Sequence, residues 1–306
     1  MTPRSLIALG IFAGLGAGCT SKTDDSASSD DSSATNVFDE VVYLQTEYVS
    51  ANPERSFECY NAGDPWLTQT PDSSCVADVP LTGEVNDFES GDGVADASLE
   101  LFFDDQYHDG HGDQSAVSDS QGALSTTGRT CTPTAYSTTT DPALNLTKIT
   151  IQSHEIYGFG ASIDTEFNSV STTTYNVIPS LLGISVQAGM GIVAGTAYDC
   201  EGEPIMGVQV IGRSADGTYP DQSVRYFREE FPNRDQEGTS EDGLWVAVNL
   251  PPGPTTMEMW AWNGTEHVLL GSSVLTIIPD SINIASTYLG YDEGVVYPDS
   301  CLTACQ

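Results

Sequence analysis

The residues best placed to do chemistry form one short acidic segment. Asp104, Asp105, Asp109 and Asp113 are interleaved with His108, His111 and two glycines. Such carboxylates could surround Ca²⁺, which takes about six to eight oxygen ligands, and His108, His111 and Asp113 could instead hold a transition metal. The spacing does not match an EF-hand loop. We interpret the segment as a solvated acidic hairpin loop, and keep a metal site, calcium first, as the alternative.

Three of the four tryptophans stand close together as Trp245, Trp260 and Trp262. Trp260 and Trp262 alternate with Met259 and Ala261, so they would share one face of a strand. Core packing is the favoured interpretation of these large aromatic side chains. The alternative is a ligand-binding platform on which sugar rings stack against Trp260 and Trp262.

Local motifs for catalysis are missing from the sequence. His154-Glu155 does not extend to a zinc-binding H-E-x-x-H motif, because Gly158 stands where the second histidine is required. Gly158 to Ser162 is not a G-x-S-x-G elbow. No glycine-rich phosphate loop follows a strand. We therefore expect a protein that is not an enzyme and has no cofactor, with a metal-dependent enzyme as a remote alternative.

The chain is strongly acidic and poor in lysine. Nine basic residues face 44 acidic ones, which gives a formal net charge of −35. Such a surface repels phosphate backbones, so nucleic acid is excluded as a partner. Solubility in salty surroundings explains this charge more simply than capture of cations does.

The N-terminus indicates export. Arg4 precedes an apolar run, Leu6 to Leu15, that is too short for a membrane span, and small residues lead to Cys19. These features resemble a bacterial lipoprotein signal, which implies cleavage before Cys19, its lipidation and, with Thr20 following, an outer-membrane location in a Gram-negative bacterium. An ordinary secretory signal is the alternative. The Ser- and Asp-rich stretch that follows has no large apolar residue, so we expect a disordered tether.

Six further cysteines fit an exported protein. An even number in an oxidising compartment predicts three disulfides. Cys59 with Cys75 is the favoured local pair, because the two bracket one Pro-, Asp- and Ser-rich loop, and the other pairings stay open. All six are disulfide candidates: Cys59, Cys75, Cys131, Cys200, Cys301 and Cys305.

The body of the chain repeats one pattern. GEVNDFESGDGVADASLEL begins at Gly83, and GTAYDCEGEPIMGVQV begins at Gly195. Each is followed by a turn and a strand, SDSQGALS from Ser118 and TSEDGLWVAVNLPPG from Thr239. Short alternating strands separated by Gly, Pro and Asp turns predict β-sandwiches of about 100 residues each. No segment of comparable length shows helical periodicity.

The second copy resembles the carboxypeptidase regulatory-like domain, a transthyretin-like β-sandwich. The resemblance rests on Asp199, Gly202, Pro204, Gly207 and the later Asp242-Gly243 and Pro-Pro-Gly turns. The first copy departs from the pattern, with Gly93 in place of the usual proline. The resemblance implies a fold and a non-catalytic accessory role at the cell surface, and it carries no catalytic residue.

We therefore predict an all-β protein with two tandem Ig-like or transthyretin-like β-sandwiches. Its expected segments are a signal (1–18), a tether (19–36), a cysteine-containing segment (37–77), a first sandwich (78–178), a second (190–292) and a cysteine-containing tail (293–306). The predicted function is a membrane-anchored exported binding or structural module. Its expected partners are the membrane, through the lipid, and a protein or polysaccharide at the cell surface. A carbohydrate- or peptidoglycan-binding module is the alternative.

Overall fold

The fold is taken from a computed structural model that describes residues 38, 42, 57, 59–60, 69–104, 106–108, 111–229, 231–291, 295–303 and 305. The expected signal, Cys19 and the tether lie outside the described residues, as do Asp105 and Asp109. Among the described residues, no helix is both long and apolar enough to cross a membrane.

The first half contains eight strands. They are β1 (Asp78–Asp87), β2 (Ser98–Phe102), β3 (Gln114–Val117), β4 (Ala123–Arg129), β5 (Pro133–Thr139), β6 (Thr147–Lys148), β7 (Thr150–Ile156) and β8 (Ile163–Ser171). A 3-10 turn at Ser73–Cys75 precedes them, with Asp72 capping it through the Ser74 amide. A helix, α1 (Thr172–Leu181), follows β8 directly.

The second half also contains eight strands. They are β9 (Gly191–Tyr198), β10 (Gln209–Ser214), β11 (Ser223–Arg228), β12 (Phe231–Asn233), β13 (Leu244–Leu250), β14 (Gly253–Trp262), β15 (His267–Ile277) and β16 (Ile282–Tyr288). A short helix, α2 (Asp299–Leu302), lies in the tail. The described residues thus form an all-β fold, as the strand pattern predicts.

One long sheet runs through both halves. Its nine strands lie in the order β12-β11-β13-β9-β16-β7-β5-β2-β3, and the halves meet where β16 pairs in parallel with β7, Ile282 opposite Thr150. A four-stranded sheet, β4-β1-β8-β6, and a three-stranded sheet, β10-β14-β15, complete the two layers. The sequence pattern predicts two sandwiches but not the shared sheet that joins them.

The two smaller sheets cover opposite faces of the long sheet. Tyr136, in the first core, pairs with Gln152, and Gln152 pairs with Ile284 across the junction. Paired residues share a face, and neighbours along a strand alternate. Ala285, next to Ile284, therefore points to the other face, where it belongs to the core under the three-stranded sheet.

The repeated sequences build the same backbone unit in each half. Gly83 pairs with Leu124 on one side and Thr165 on the other, and Gly195 pairs with Trp245 and Ala285 in the same antiparallel and parallel sense. The side-chain bonds repeat as well. The Ala97 amide donates to Ser118 Oγ (2.9 Å), and the Val208 amide donates to Thr239 Oγ1 (3.1 Å).

Helix α1 is not predicted by the sequence, in which no segment of comparable length shows helical periodicity. The Ser171 hydroxyl caps its start by accepting from the Thr174 amide at 3.1 Å. Its Tyr175 packs with Val246 and Val248 on the face of β13 turned away from the second core. The alternation in β13 predicts a strand with one buried face, but both of its faces are buried. The second face is covered by α1 and by the chain that follows α1.

Three disulfides join the described residues: Cys59–Cys200, Cys75–Cys305 and Cys131–Cys301. The predicted number is confirmed, but the favoured pair Cys59–Cys75 is wrong. The sequence neighbours separate because Cys59 lies against the second core, whereas Cys75 is fully buried beside Cys131 and Cys301 at the end of the first half. The bonds attach both the N-terminal segment and the tail to the sandwiches.

Candidate functional site

The outer surface of the three-stranded sheet carries a compact polar and aromatic group. Met257, Met259 and Ala261 of β14 point inward and are fully buried in the second core. Trp260 and Trp262 point outward and are half-buried. The core interpretation is therefore wrong for these two tryptophans, although it holds for Trp245, which is 1% exposed. We call the outward group of Glu258, Trp260, Trp262 and His267 the aromatic face.

Glu258 organises the aromatic face. Its side chain is only 3% exposed although it lies on the outer side of the sheet. The Arg213 guanidinium pairs with one carboxylate oxygen. The other oxygen accepts hydrogen bonds from the Tyr219 hydroxyl (3.0 Å) and the Trp260 indole N–H (3.1 Å). A buried carboxylate with three donors is satisfied, so Glu258 holds its neighbours in place and is not free to act as a general base.

The pKa values of the donors fit this positioning role. The hydrogen bond to Glu258 raises the pKa of Arg213 above its already high ordinary value. Burial, reinforced by the negative charge of Glu258, raises the pKa of Tyr219 to about 12. Both donors therefore keep their protons at neutral pH.

The N-terminal segment borders the other end of the aromatic face. The Val42 carbonyl accepts a hydrogen bond from the Trp262 amide at 2.9 Å. The His267 ring lies edge-on to the Trp262 ring, with 5.0 Å between centroids, and 5.2 Å from the Phe38 ring. Phe38 and Val42 therefore lie beside Trp262, and the Glu258-bound Trp260 stands two residues back along β14.

This arrangement suits binding better than bond-breaking. Trp260 and Trp262 are two residues apart on one strand, about 7 Å at the usual rise per residue. Aromatic rings present apolar faces to a ligand, and the polar edge of Trp260 is already bonded to Glu258. The aromatic face can therefore stack against a flat ligand such as a sugar ring without first ordering its own side chains.

The acidic loop is also partly described. Asp104 Oδ2 lies 2.7 Å from His108 Nε2, and both side chains are more than half exposed. Asp113 Oδ2 accepts a hydrogen bond from the Phe103 amide at 2.7 Å. Each described carboxylate of the loop therefore has a local partner, whereas Asp105 and Asp109 lie outside the described residues.

Metal-ligating side chains do not converge in the part of the chain that the structure describes. No group of three or more His, Cys, Asp or Glu residues there could hold a metal ion. His111 is exposed at the surface of the loop. The metal site in this loop stays a prediction that depends on the two undescribed aspartates.

Three residues that support the aromatic face were not found from the sequence. Arg213, Tyr219 and Glu258 lie on different segments, and their meeting depends on the pairing of β10 with β14, which places Ile211 opposite Glu258. A weak signal exists in the composition. Arg213 is one of only nine basic residues, and Glu258 interrupts the apolar and aromatic run from Met257 to Trp262.

Comparison with known proteins adds little. No family model matches the chain, and no curated protein matches it. Among solved structures, the Bacillus anthracis TIE protein is 13% identical with a TM-score of 0.24, covering 70% of this chain and 34% of its own length. The chain therefore spans about a third of that structure.

Two pilin structures match this chain with similarly low identity and TM-score. The shaft pilin SpaA from Lactobacillus rhamnosus GG is 7% identical, covering 70% of this chain and 98% of its own, with a TM-score of 0.21. The major pilin subunit BcpA of Bacillus cereus is 8% identical, covering 69% and 99%, with a TM-score of 0.23. TM-scores this low support no inference about function.

Proposed function

We propose that this protein is a non-catalytic binding or structural module, exported and held to a membrane by lipid on Cys19. The observation that carries the proposal is the set of three disulfides, which fix the N-terminal segment and the tail to the folded halves. Disulfides of this density are stable in oxidising compartments and rare in the cytosol. The lipoprotein-like signal, the polar tether and the acidic surface fit the same location.

Fractionation of cells that express the full chain tests the anchor. The native chain should be recovered with membranes and should incorporate a labelled fatty acid. Cys19→Ser should lose the label, because no thiol is left at that position to carry the lipid. Cys19→Ser is compared with Ser21→Ala, which changes the neighbouring tether and leaves the thiol. Equal labelling of the native chain and Cys19→Ser would refute the anchor.

A second candidate function is binding of a carbohydrate, including peptidoglycan, at the aromatic face. The specific support is that Trp260 points outward and is bonded to a buried carboxylate, 3.1 Å from indole nitrogen to Glu258 Oε2. A tryptophan needed only for the core would point inward, as Trp245 does. The ordered ring reduces the entropy that binding would otherwise cost.

Purified peptidoglycan sacculi and neutral polysaccharides are the probes for this second function. The native protein should co-sediment with at least one of them, and Trp260→Ala and Trp262→Ala should each weaken binding by about tenfold, or 1.4 kcal/mol. Phe159→Ala is the matched control, since Phe159 is a 48% exposed aromatic residue elsewhere. Equal losses in all three variants, or no binding to any probe, would exclude the aromatic face as the site.

A further inference from the structure

His267, the first residue of β15, has two ring nitrogens without partners. Neither nitrogen is exposed to solvent or hydrogen-bonded to a described residue. Buried polar atoms are almost always hydrogen-bonded, so an exception needs an explanation. Trp245 and Asn283 also carry unpaired buried groups, but each is only 1% exposed and lies in the interior. His267 is half-buried at the surface, where a ligand can supply the missing hydrogen bonds.

Two residues of the N-terminal segment lie over this end of the aromatic face. The Phe38 ring lies 5.2 Å from the His267 ring. Val42 is seated on the sheet, because its carbonyl accepts from the Trp262 amide. Its side chain also packs closely on Gly238, where a Cβ atom would fall 2.6 Å from Val42 Cγ1. We call Phe38 and Val42 the N-terminal cover.

The N-terminal cover is separate from the contacts that attach this segment to the second core. Phe57 and Cys59, further along the chain, pack against that core, whereas Phe38 and Val42 do not belong to it. Cys59 is also bonded to Cys200 of the second half. The segment therefore stays attached to the protein when the N-terminal cover lifts from the aromatic face.

The groups at this end of the sheet favour an uncharged ligand. An uncharged imidazole offers one donor and one acceptor, and the hydroxyl groups of a sugar both donate and accept. Arg213 is the only arginine or lysine in β10, β14 and β15, and it is already paired with Glu258. Glu266, next to His267, is exposed and repels anions.

We propose that His267 is a specificity-determining residue for a sugar bound at the aromatic face, and that the N-terminal cover occupies the sugar's place in the free protein. The inference rests on the proposed carbohydrate-binding function. An uncharged sugar displaces Phe38, stacks on the tryptophan rings and bonds the His267 nitrogens through its hydroxyl groups. The cover lowers the apparent affinity, because only uncovered molecules bind.

Binding of the full chain to the sacculi and neutral polysaccharides named above tests the role of His267. His267→Phe keeps an aromatic ring but removes both nitrogens, and it should weaken binding about tenfold. His267→Gln keeps a donor and an acceptor and should lose less. Alginate, a polymer of acidic sugars, should not bind. Equal binding by the native chain and His267→Phe, or binding to alginate as strong as to the neutral polymers, would overturn the proposal.

Phe38→Ala tests the cover in the same assay. The variant should bind about tenfold more tightly than the native chain, which is the gain expected if about one native molecule in ten is uncovered. Phe159→Ala, at an exposed aromatic residue elsewhere, should bind like the native chain. Retention of all three disulfides shows that each variant is folded. Binding by Phe38→Ala that is unchanged or weaker would mean that Phe38 does not compete with the ligand.

Diethyl pyrocarbonate, which acylates accessible histidine nitrogens, tests the cover without any ligand. In the native chain His267 should react far more slowly than the exposed His111, and in Phe38→Ala the two should react at similar rates, as measured by mass spectrometry of their peptides. Equal rates in the native chain would rule out the cover. Absence of sugar binding by every variant, Phe38→Ala included, would refute the carbohydrate function together with this inference. Sugar binding that neither His267→Phe nor Phe38→Ala changes would refute the inference alone.

Discussion

Gly195 lies so close to Ala285 that a Cβ atom at position 195 would fall 1.7 Å from the Ala285 carbonyl oxygen. The two residues are opposite each other in the parallel pair of β9 and β16. Gly83 has the same relation to Thr165 in the first half, at 2.6 Å. The glycine that begins each repeated motif is therefore required because a parallel strand approaches it closely. The role of this glycine in the motif is structural and not catalytic.

Gly195→Ala should destabilise the protein by at least about 3 kcal/mol, because the added methyl group would overlap backbone that cannot move without separating two strands. Urea unfolding measures the loss. Gly160→Ala is the matched control, since a Cβ there meets nothing closer than 3.4 Å. A change below about 1 kcal/mol for Gly195→Ala would contradict the pairing of β9 with β16.

Glu258→Gln should disturb the aromatic face more than the fold. The amide keeps the shape of the side chain but removes the charge that pairs with Arg213, so we expect a loss of about 1–3 kcal/mol. The intrinsic fluorescence spectrum should shift, because the Trp260 indole loses its charged acceptor. Glu266→Gln, at an exposed acidic residue after β14, should change neither quantity. An unchanged spectrum of Glu258→Gln would mean that Glu258 does not position Trp260.

Alkaline pH should unfold the protein cooperatively. Burial raises the pKa of Tyr219 and Tyr175 to about 12, and raises those of the buried Tyr136 and Tyr226 further. A phenol whose folded pKa is raised stabilises the fold fully below its ordinary pKa of about 10 and loses that contribution as pH rises through the folded value. Absorbance at 295 nm should therefore show several tyrosines ionising together above pH 11, in step with loss of circular dichroism. Gradual ionisation near pH 10 without unfolding would contradict this burial.

Calcium should have little effect on the fold. Asp104 and Asp113 already accept local hydrogen bonds. A calcium ion that bound the folded protein would raise the free energy of unfolding by about 2.7 kcal/mol when its concentration is one hundred times the dissociation constant. We expect equal melting temperatures in millimolar calcium and in chelator. A calcium-dependent rise that Asp113→Asn removes, and that Asp141→Asn in another exposed loop leaves, would establish the alternative metal site.

Local patterns predicted the elements well and their partners poorly. The Asp242-Gly243 turn is predicted from two residues, and Gly243 indeed has a positive φ of 64°. Alternation also predicts that Met257 and Met259 share one face of β14 and that Trp260 and Trp262 share the other, as observed. Alternation cannot say which of the two faces of a strand is covered, so it predicts neither the outward side of Trp260 and Trp262 nor the burial of β13 on both faces.

Long-range pairings could not be read from local sequence. Cys59 pairs across 141 residues and Cys75 across 230, so proximity in the chain favoured the wrong bond. The parallel pairing of β7 with β16 places Thr150 opposite Ile282, and no local sequence motif predicts this pairing. Glu258, Arg213 and Tyr219 meet only after β10 pairs with β14, so the polar group behind Trp260 is a product of topology.

The central claim, an exported module stabilised by disulfides, is tested most directly by the redox state of its cysteines in the cell. Thiols are blocked in intact cells before lysis, and peptides of the membrane fraction are analysed by mass spectrometry without reduction. We predict linked peptides for Cys59–Cys200, Cys75–Cys305 and Cys131–Cys301, with these six cysteines free of the blocking reagent. Blocked thiols at these positions in most molecules, or recovery of the protein from the cytosol, would contradict the claim.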